Sequence, residues 1–98
     1  MNTLLKSGKF EKWLRNLKDP KTRFRVIARL QRAENGNFGD VKELDDKIFE
    51  MRLMGQGLRI YYIREGNTVY FLLAGGDKTG QEHDIALARK LARERREK

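Results

Sequence analysis

The chain has 98 residues, 39% of them hydrophobic and 37% charged, which predicts one small domain with a single modest core. It contains no cysteine and one histidine, which excludes disulfides, thiol catalysis and cysteine-based metal sites. The formal net charge of +8 indicates either a polyanionic partner or a basic face that only keeps the domain in solution.

The positive charge is concentrated in the first third of the chain. Residues 1–33 contain ten basic and two acidic side chains, whereas residues 34–81 carry a net charge of −2 and residues 82–98 one of +2. The longest apolar run, residues 69–74, is far shorter than the ~20 residues of a membrane helix. Because the N-terminus also lacks a secretory-signal pattern, a cytoplasmic protein without a membrane partner is expected.

Two short helices are predicted before residue 37. Four apolar residues recur at helical spacing: Phe10, Trp13, Leu14 and Leu17. Ser7 is a plausible N-cap of this helix. A second helix follows Pro20, which suits a first helical turn, and ends at Gly36. We expect the pair to form an N-terminal helical hairpin.

After Gly39 the hydrophobic period changes to two, the spacing of a half-buried strand. Strands are predicted over residues 41–44, 48–53, 58–64 and 68–74, with turns at 45–47, 55–57 and 65–67. Such short connections favour antiparallel pairing. Residues 3–6 are a weak candidate for an additional edge strand. A last helix contains Ile85, Ala88, Leu91 and Ala92 on one face, and residues 93–98 are expected to fray.

These elements predict a single α+β domain over residues 1–98. Its small antiparallel sheet of three to four strands packs against the N-terminal helical hairpin, and a C-terminal helix follows. We expect the helices to be segregated on one face of the sheet, which leaves the opposite face open.

The open face is where chemistry is expected. Strand alternation places Arg52 and Arg59 on that face, and the loop after the last strand adds Lys78. Three such cations would bind a phosphodiester and stabilise the charge that develops on cleavage. His83 and Asp84, at the start of the last helix, are the candidates for proton transfer. The alternative is that Arg52 pairs with Glu50 or Asp84 and only sets the strand register.

A second group of residues is predicted to contact RNA or the ribosome. The basic side chains of the second helix lie opposite its apolar face, and they are Lys21, Arg25, Arg29 and Arg32. Tyr61 alternates with Tyr62, so at most one of the two is expected to be exposed, and Tyr61 is placed beside Arg59 for stacking on a base.

Four segments together resemble the HigB-like toxins, the addiction module killer branch of the RelE/ParE superfamily. They are Phe10-x-x-Trp13-Leu14-x-x-Leu17-Lys18-Asp19, Gly36-Asn37-Phe38-Gly39-Asp40-Val41-Lys42, Glu50-Met51-Arg52-Leu53 with Gly55-x-Gly57-x-Arg59-Ile60-Tyr61-Tyr62, and Gly75-Gly76-Asp77-Lys78-x-x-Gln81-x-x-Asp84-Ile85-x-x-Ala88. The resemblance covers roughly residues 8–92. It departs from the family at Glu50, where some ribonuclease members carry a base.

The resemblance implies a RelE-like fold and the toxin of a type II toxin–antitoxin pair. Many members cleave mRNA in the ribosomal acceptor site without a metal or other cofactor, by attack of a ribose 2′-hydroxyl on the adjacent phosphate. By motif, Arg52, Arg59 and Lys78 match basic active-site positions, and His83 or Asp84 falls near the position of a proton-transfer residue. The implied partners are mRNA, the ribosome and a helix-turn-helix antitoxin, with operator DNA bound through the antitoxin complex.

Two other functions remain open from the sequence. The ParE side of the superfamily inhibits DNA gyrase on the same fold, and fold alone does not choose between the two activities. The third reading is a basic nucleic-acid-binding module without toxicity. The sequence also leaves open whether acidic antitoxin residues meet the basic second helix or the cationic sheet face.

Overall fold

The computed structural model describes residues 1–55 and 57–98. Its elements in chain order are β1 (Thr3–Lys6), α1 (Gly8–Arg15), α2 (Pro20–Glu34), β2 (Val41–Glu43), β3 (Phe49–Leu53), β4 (Leu58–Arg64), β5 (Val69–Gly76) and α3 (Gln81–Arg96). Gln56, in the predicted turn at 55–57, lies outside the described residues. Among the described residues, no helix is long and apolar enough to cross a bilayer.

The strands form one mixed sheet in the order β1-β5-β4-β3-β2. β2 to β5 pair antiparallel, as the short turns predict. β1 instead lies parallel to β5 at the edge. The expected three-to-four-stranded antiparallel sheet is therefore a five-stranded mixed one. The sequence signal for β1 is weak because only Leu4 of its four residues is buried.

The helix ends follow from capping groups that the sequence contains. The Ser7 hydroxyl accepts a hydrogen bond from the Phe10 amide at 2.9 Å, and Asp19 accepts one from the Lys21 amide at 3.2 Å. Pro20 is the first residue of α2. Gly36, with φ of +94°, follows its C-terminus, where the left-handed conformation favours glycine. The predicted starts of both helices and the predicted end of α2 are confirmed, whereas α1 ends at Arg15, before Leu17 of the predicted apolar stripe.

Helices cover both faces of the sheet. On one face α1 and α2 bury Phe10, Val26 and Leu30 against Met51 and Ile60. The two helices do not form the tight hairpin that was expected, because α1 packs chiefly on β5. On the other face α3 buries Ala88 and Ala92 against a second apolar cluster, which consists of Ile48, Tyr61, Ile63, Phe71, Leu73 and Ala74.

The second apolar cluster corrects the expectation that all helices lie on one face. α3 closes much of the face predicted to be open, while Arg52 and Arg59, at the end of the sheet near its first turn, stay 41% and 17% exposed. The tail expected to fray is helical through Arg96. In this tail, Arg95 Nε lies 2.7 Å from Glu65 Oε2, and the Arg95 guanidinium carbon lies 4.1 Å from the centre of the Phe71 ring. Both contacts fix the last turns of α3 on the sheet.

Candidate functional site

Arg52 and Arg59 stand directly opposite each other on β3 and β4. They point to the α3 face because their neighbours Met51 and Ile60 point into the α1–α2 core. Two like charges at opposed strand positions repel each other. The pair therefore needs a nearby negative charge to be stable in the folded protein.

Glu50 supplies that negative charge. Its side chain is 2% exposed, and its Oε2 lies 3.6 Å from Arg59 Nε and 3.8 Å from Arg52 Nε. Its other oxygen, Oε1, accepts a hydrogen bond from the side-chain amide nitrogen Nε2 of Gln81 at 3.1 Å. Gln81 begins α3, so this carboxylate links the two arginines to the helix above them.

The two arginines retain hydrogen-bonding capacity. Arg59 Nη1 donates to the Gly57 carbonyl at 2.8 Å, and Arg52 Nη2 lies 3.6 Å from an Asp40 oxygen. Both Nε atoms are buried facing Glu50 and lack a hydrogen-bond partner in the described part of the chain, so only the outer Nη groups can meet a ligand. The side chains are 41% exposed for Arg52 and 17% for Arg59. Their remaining N–H donors are available to an anion that approaches this end of the sheet.

Lys78 lies beside the same end of the sheet. Its Cγ is 3.3 Å from the position that a Cβ on Gly57 would take, and Gly57 has a φ of +67°. The lysine stem thus packs on the glycine whose carbonyl accepts from Arg59. The structure therefore brings the three predicted cations to one end of the sheet; we call Arg52, Arg59 and Lys78 the cation cluster.

Asp84 is held above β5 in the first turn of α3. A Cβ on Gly76 would overlap its carboxylate, and Gly76 is the register partner of Arg59. Burial raises the pKa of Asp84, the nearby Asp77 raises it further, and His83 opposes the shift. Asp84 is thus a partly buried carboxyl group with more than ordinary proton affinity, next to the strand that carries Arg59.

His83 is exposed. It borders a shallow depression at the start of α3 together with Lys78 and Gly80. The two proton-transfer candidates therefore differ in position, because Asp84 faces the sheet and His83 faces solvent beside the lysine of the cation cluster.

The prediction that Tyr61 is exposed for stacking on an RNA base is wrong. Its side chain is fully buried under α3, and its hydroxyl lacks a hydrogen-bond partner among residues 1–55 and 57–98. Burial, with Glu50 and Asp84 nearby, raises its pKa to about 12. Tyr62 is also buried, on the opposite face. Neither tyrosine is exposed, because both faces of the sheet carry helices.

The prediction that Arg29 is a surface contact for RNA or the ribosome is also wrong. It is 7% exposed, and its guanidinium donates to the carbonyls of Phe38, Asp40 and Arg52 at 2.8–3.2 Å. Lys21, Arg25 and Arg32 are exposed, as predicted. Arg29 differs from them because the segment before β2 folds over it, and Gly39 leaves the space that its guanidinium occupies.

Pairing of Arg52 with Glu50 was the alternative raised from the sequence, and Glu50 Oε2 does lie 3.8 Å from Arg52 Nε. The contacts of Glu50 with Arg59 and Gln81 were not predicted. A signal for Glu50 was present, since it alternates with Arg52 on the same strand face and stands opposite Tyr61. Gln81 had no signal, because its partner is 31 residues away. In the part of the chain that the structure describes, no three His, Asp or Glu side chains are grouped closely enough to bind a metal ion.

This arrangement suits an anionic ligand. The cation cluster provides fixed positive charge and unpaired N–H donors, and Glu50 holds the arginines in place from below. Asp84 and His83 add two groups able to exchange protons at the same end of the sheet. A phosphodiester fits such a site, because guanidinium groups bind phosphate oxygens through two donors at once.

The chain is similar to one protein family and to several individual proteins. Residues 12–96 match the family model of the phage-derived Gp49-like proteins (DUF891). An uncharacterized protein of Haemophilus influenzae is 43% identical over 86 residues, which are 87% of this chain and 87% of that protein. The crystal structure of the isolated E. coli RelE toxin superposes with a TM-score of 0.66 at 17% identity, over 85% of this chain and 95% of RelE.

A conserved hypothetical protein of Helicobacter pylori, solved in solution, is also similar. It matches with a TM-score of 0.57 at 18% identity, over 81% of this chain and 97% of its own. At such identities the two superpositions show a shared fold. The α+β architecture described above is thus the RelE fold.

Proposed function

Because the chain belongs to the Gp49-like family of phage-derived proteins and adopts the RelE fold, we propose that it is the toxin of a type II toxin–antitoxin pair. Its activity is cleavage of mRNA on the ribosome, in the manner of the HigB-like branch that its motifs resemble. The partners are an antitoxin, mRNA and the ribosome.

One observation carries this proposal. Arg52 and Arg59 are opposed on neighbouring strands with Lys78 beside them, and their buried Nε atoms face the Glu50 carboxylate at 3.8 and 3.6 Å. A buried carboxylate balances part of their charge while the outer N–H groups face solvent. An arginine pair used only for strand register would have its donors occupied by protein acceptors. Available donors at an open end of the sheet support binding of a scissile phosphate.

The reaction proposed is intramolecular transesterification of RNA. The ribose 2′-oxygen forms a bond to the adjacent phosphorus, and the bond from phosphorus to the 5′-oxygen of the next nucleotide breaks. The products are a 2′,3′-cyclic phosphate and a 5′-hydroxyl. The proton of the 2′-hydroxyl passes to the Asp84 carboxylate, and His83 supplies the proton that the departing 5′-oxygen takes up. The cation cluster stabilises the charge on the phosphorane.

The environment of Asp84 supports its role as the base. A carboxylate with a raised pKa accepts a proton more readily than an ordinary aspartate at neutral pH. Its position above Gly76, the register partner of Arg59, sets it beside the strand that binds the phosphate. No metal ion is needed in this scheme, since guanidinium and ammonium groups supply the positive charge.

The test is induction of the chain in growing cells without an antitoxin, followed by mapping of mRNA 5′ ends. We expect growth arrest with cuts inside translated frames. Arg59→Ala is expected to lower cleavage by about 10²–10³-fold, the usual effect of removing one donor that stabilises transition-state charge. Lys78→Ala is expected to lower cleavage less, because the lysine is exposed and water weakens its attraction for a bound phosphate.

Arg89→Ala is the matched control for Arg52→Ala. Both side chains are 41% exposed and both pair with an exposed aspartate, but Arg89 lies on α3 away from the cation cluster. Only Arg52→Ala should reduce cleavage. Full toxicity of folded Arg59→Ala and Lys78→Ala would contradict the proposed site. Intact mRNA with linear DNA and an SOS response would contradict mRNA cleavage and indicate gyrase inhibition instead.

A further inference from the structure

Large apolar side chains are exposed beside α2. Phe24 is 72% exposed, Met54 82% and Ile27 40%. Phe24 and Met54 form the walls of a shallow groove between α2 and the end of β3, with Ala28 and Leu53 also lining it. We call this surface the α2 groove. Contiguous apolar surface of this kind marks an interaction site more often than a scattered exposed residue does.

The rim of the α2 groove is basic and unneutralised. Arg25 and Arg32 border it, and Lys21 lies next to Phe24 at its open end. Among the described residues, no carboxylate lies within ion-pair distance of these three cations. α2 itself contains a single acidic residue, Glu34, at its last position. A partner that covers the groove therefore gains by bringing its own acidic side chains.

The shape of the groove favours a helix as the occupant. One wall is an α-helix and the other is the end of a strand, so neither offers an unpaired backbone edge. The edge strands of the sheet are β1 and β2, and no residue of either lines the groove. Addition of a peptide strand has no template here, whereas an apolar helix face packs along another helix by fitting side chains into its grooves.

Two other occupants fit less well. Single-stranded RNA binds by stacking on several aromatic rings. Among the described residues that line the groove, Phe24 is the only aromatic one, and Met54, Ala28 and Leu53 offer no stacking surface. A second copy of the chain would bring the same arginines against Arg25 and Arg32, and like charges oppose such a contact.

We propose that the α2 groove binds an acidic amphipathic helix of a partner protein. Its apolar face covers Phe24 and Met54, and its acidic flanks pair with Arg25 and Arg32. Identification of that partner as the antitoxin rests on the proposed function, but helix binding by the groove does not. The groove lies on the α2 side of the sheet, so the partner leaves the cation cluster on the α3 side uncovered by this contact.

The experiment uses a displayed library of amphipathic helices as long as α2, which has 15 residues. Apolar positions follow i, i+3, i+4 and i+7, and the flanking positions are varied among Glu, Gln and Lys. The full chain is the selection target. We expect the enriched helices to carry Glu at both flanks. An Arg25→Glu/Arg32→Glu double variant should reverse this preference and enrich Lys.

An enriched helix is then synthesised and its Kd is measured by fluorescence anisotropy. Phe24→Ala/Met54→Ala is expected to weaken binding by about tenfold or more, as loss of central apolar anchors does. Both residues are largely exposed, so the double variant should fold. Leu5→Ala is the control, because Leu5 is 38% exposed on β1, and it should leave the Kd unchanged.

Three outcomes would overturn the proposal. One is the absence of any helix that prefers the native chain to Phe24→Ala/Met54→Ala. Another is single-stranded RNA binding that this double variant abolishes. The last is a dimer, seen by sedimentation, that the double variant dissociates. Failure of the proposed function is separable, because it would appear as intact mRNA on induction while the helix still binds the groove.

Discussion

Arg29 and Arg59 are both largely covered, yet their surroundings differ. The Arg29 guanidinium donates to three backbone carbonyls, and burial lowers its pKa, with the neighbouring Arg32 as a lesser cause. Arg59 makes one such bond and faces a carboxylate at 3.6 Å with an unpaired Nε. The Arg29 donors are thus held by the backbone, whereas Arg59 makes a single backbone hydrogen bond and is otherwise balanced by Glu50.

The two regions are also connected. One carbonyl that Arg29 holds is that of Arg52, and the Arg52 amide donates to the Asp40 carbonyl at 2.9 Å. Arg29 thus fixes the backbone that presents a member of the cation cluster. Arg29 lies on the α2 face of β3, and the side chain of Arg52, a proposed ligand-binding residue, lies on the α3 face of the same strand.

The largest expected effect is on stability at Arg29. Arg29→Ala removes the guanidinium donor of the part-buried carbonyls of Phe38, Arg52 and Asp40. Asp40 keeps the Arg52 amide as a donor, and each carbonyl left unpaired costs about 1–3 kcal/mol. We expect the free energy of unfolding to fall by about 3 kcal/mol or more, measured by urea denaturation. Arg32→Ala is the control, since this exposed residue of the same helix should change stability by less than about 0.5 kcal/mol. Equal stability of the two variants would contradict the role of the Arg29 guanidinium in holding the fold.

Glu50 tests the other region. Glu50→Gln keeps an oxygen for Gln81 but removes the charge between Arg52 and Arg59, so the unfolding free energy should fall by about 2 kcal/mol. The arginines should also be less well positioned, and mRNA cleavage should decrease. Added salt should recover part of the stability by screening the repulsion. Glu43→Gln, on the exposed edge strand, is the control. A fully stable Glu50→Gln would show that the arginines need no balancing charge.

Asp84 makes the stability of the protein depend on pH. Its pKa is raised in the folded state, so the native protein binds this proton more tightly than the unfolded chain does. The stability that it contributes is fully present below the ordinary value of 3.8 and is lost as the pH rises through the folded pKa. Asp84→Asn should therefore be more stable than the native chain at pH 7, while its mRNA cleavage falls.

Thermal unfolding across pH 3–8 measures this effect of Asp84→Asn. The control is Glu82→Gln, which removes an exposed carboxylate from the same first turn of α3 and should not stabilise the protein. If Asp84→Asn is less stable than the native chain at neutral pH, the carboxylate is paired in solution and the proposed base is wrong.

The smallest effect is expected at Tyr61. Tyr61→Phe removes a buried hydroxyl that has no partner in the part of the chain described here. Replacing an unpaired polar group by an apolar one is neutral or stabilising, by up to about 1 kcal/mol. Urea denaturation should show no loss of stability, with Tyr70→Phe as the half-buried control. A large decrease in mRNA cleavage would instead indicate that the hydroxyl contacts the substrate.

Local patterns in the sequence were sufficient for much of this fold. Alternation along β3 and β4 correctly placed Arg52 and Arg59 on one face and Met51 and Ile60 on the other. Ser7 was predicted as an N-cap, and its hydroxyl accepts from the amide three residues on; Pro20 was predicted in a first helical turn, and it begins α2. These predictions succeed because backbone geometry alone decides which side chains share a face of a strand or a turn of a helix.

Residue order alone was thus enough to place three cations on β3, β4 and the loop after β5. Packing in three dimensions was needed to show that α3 covers Tyr61, that the segment before β2 encloses Arg29 but leaves Arg25 exposed, and that Glu50 and Gln81 meet across 31 residues. The physical reason is that the exposure of a side chain and its hydrogen-bond partners depend on which distant element packs against it. That choice depends on the summed fit of whole surfaces, which no local period contains.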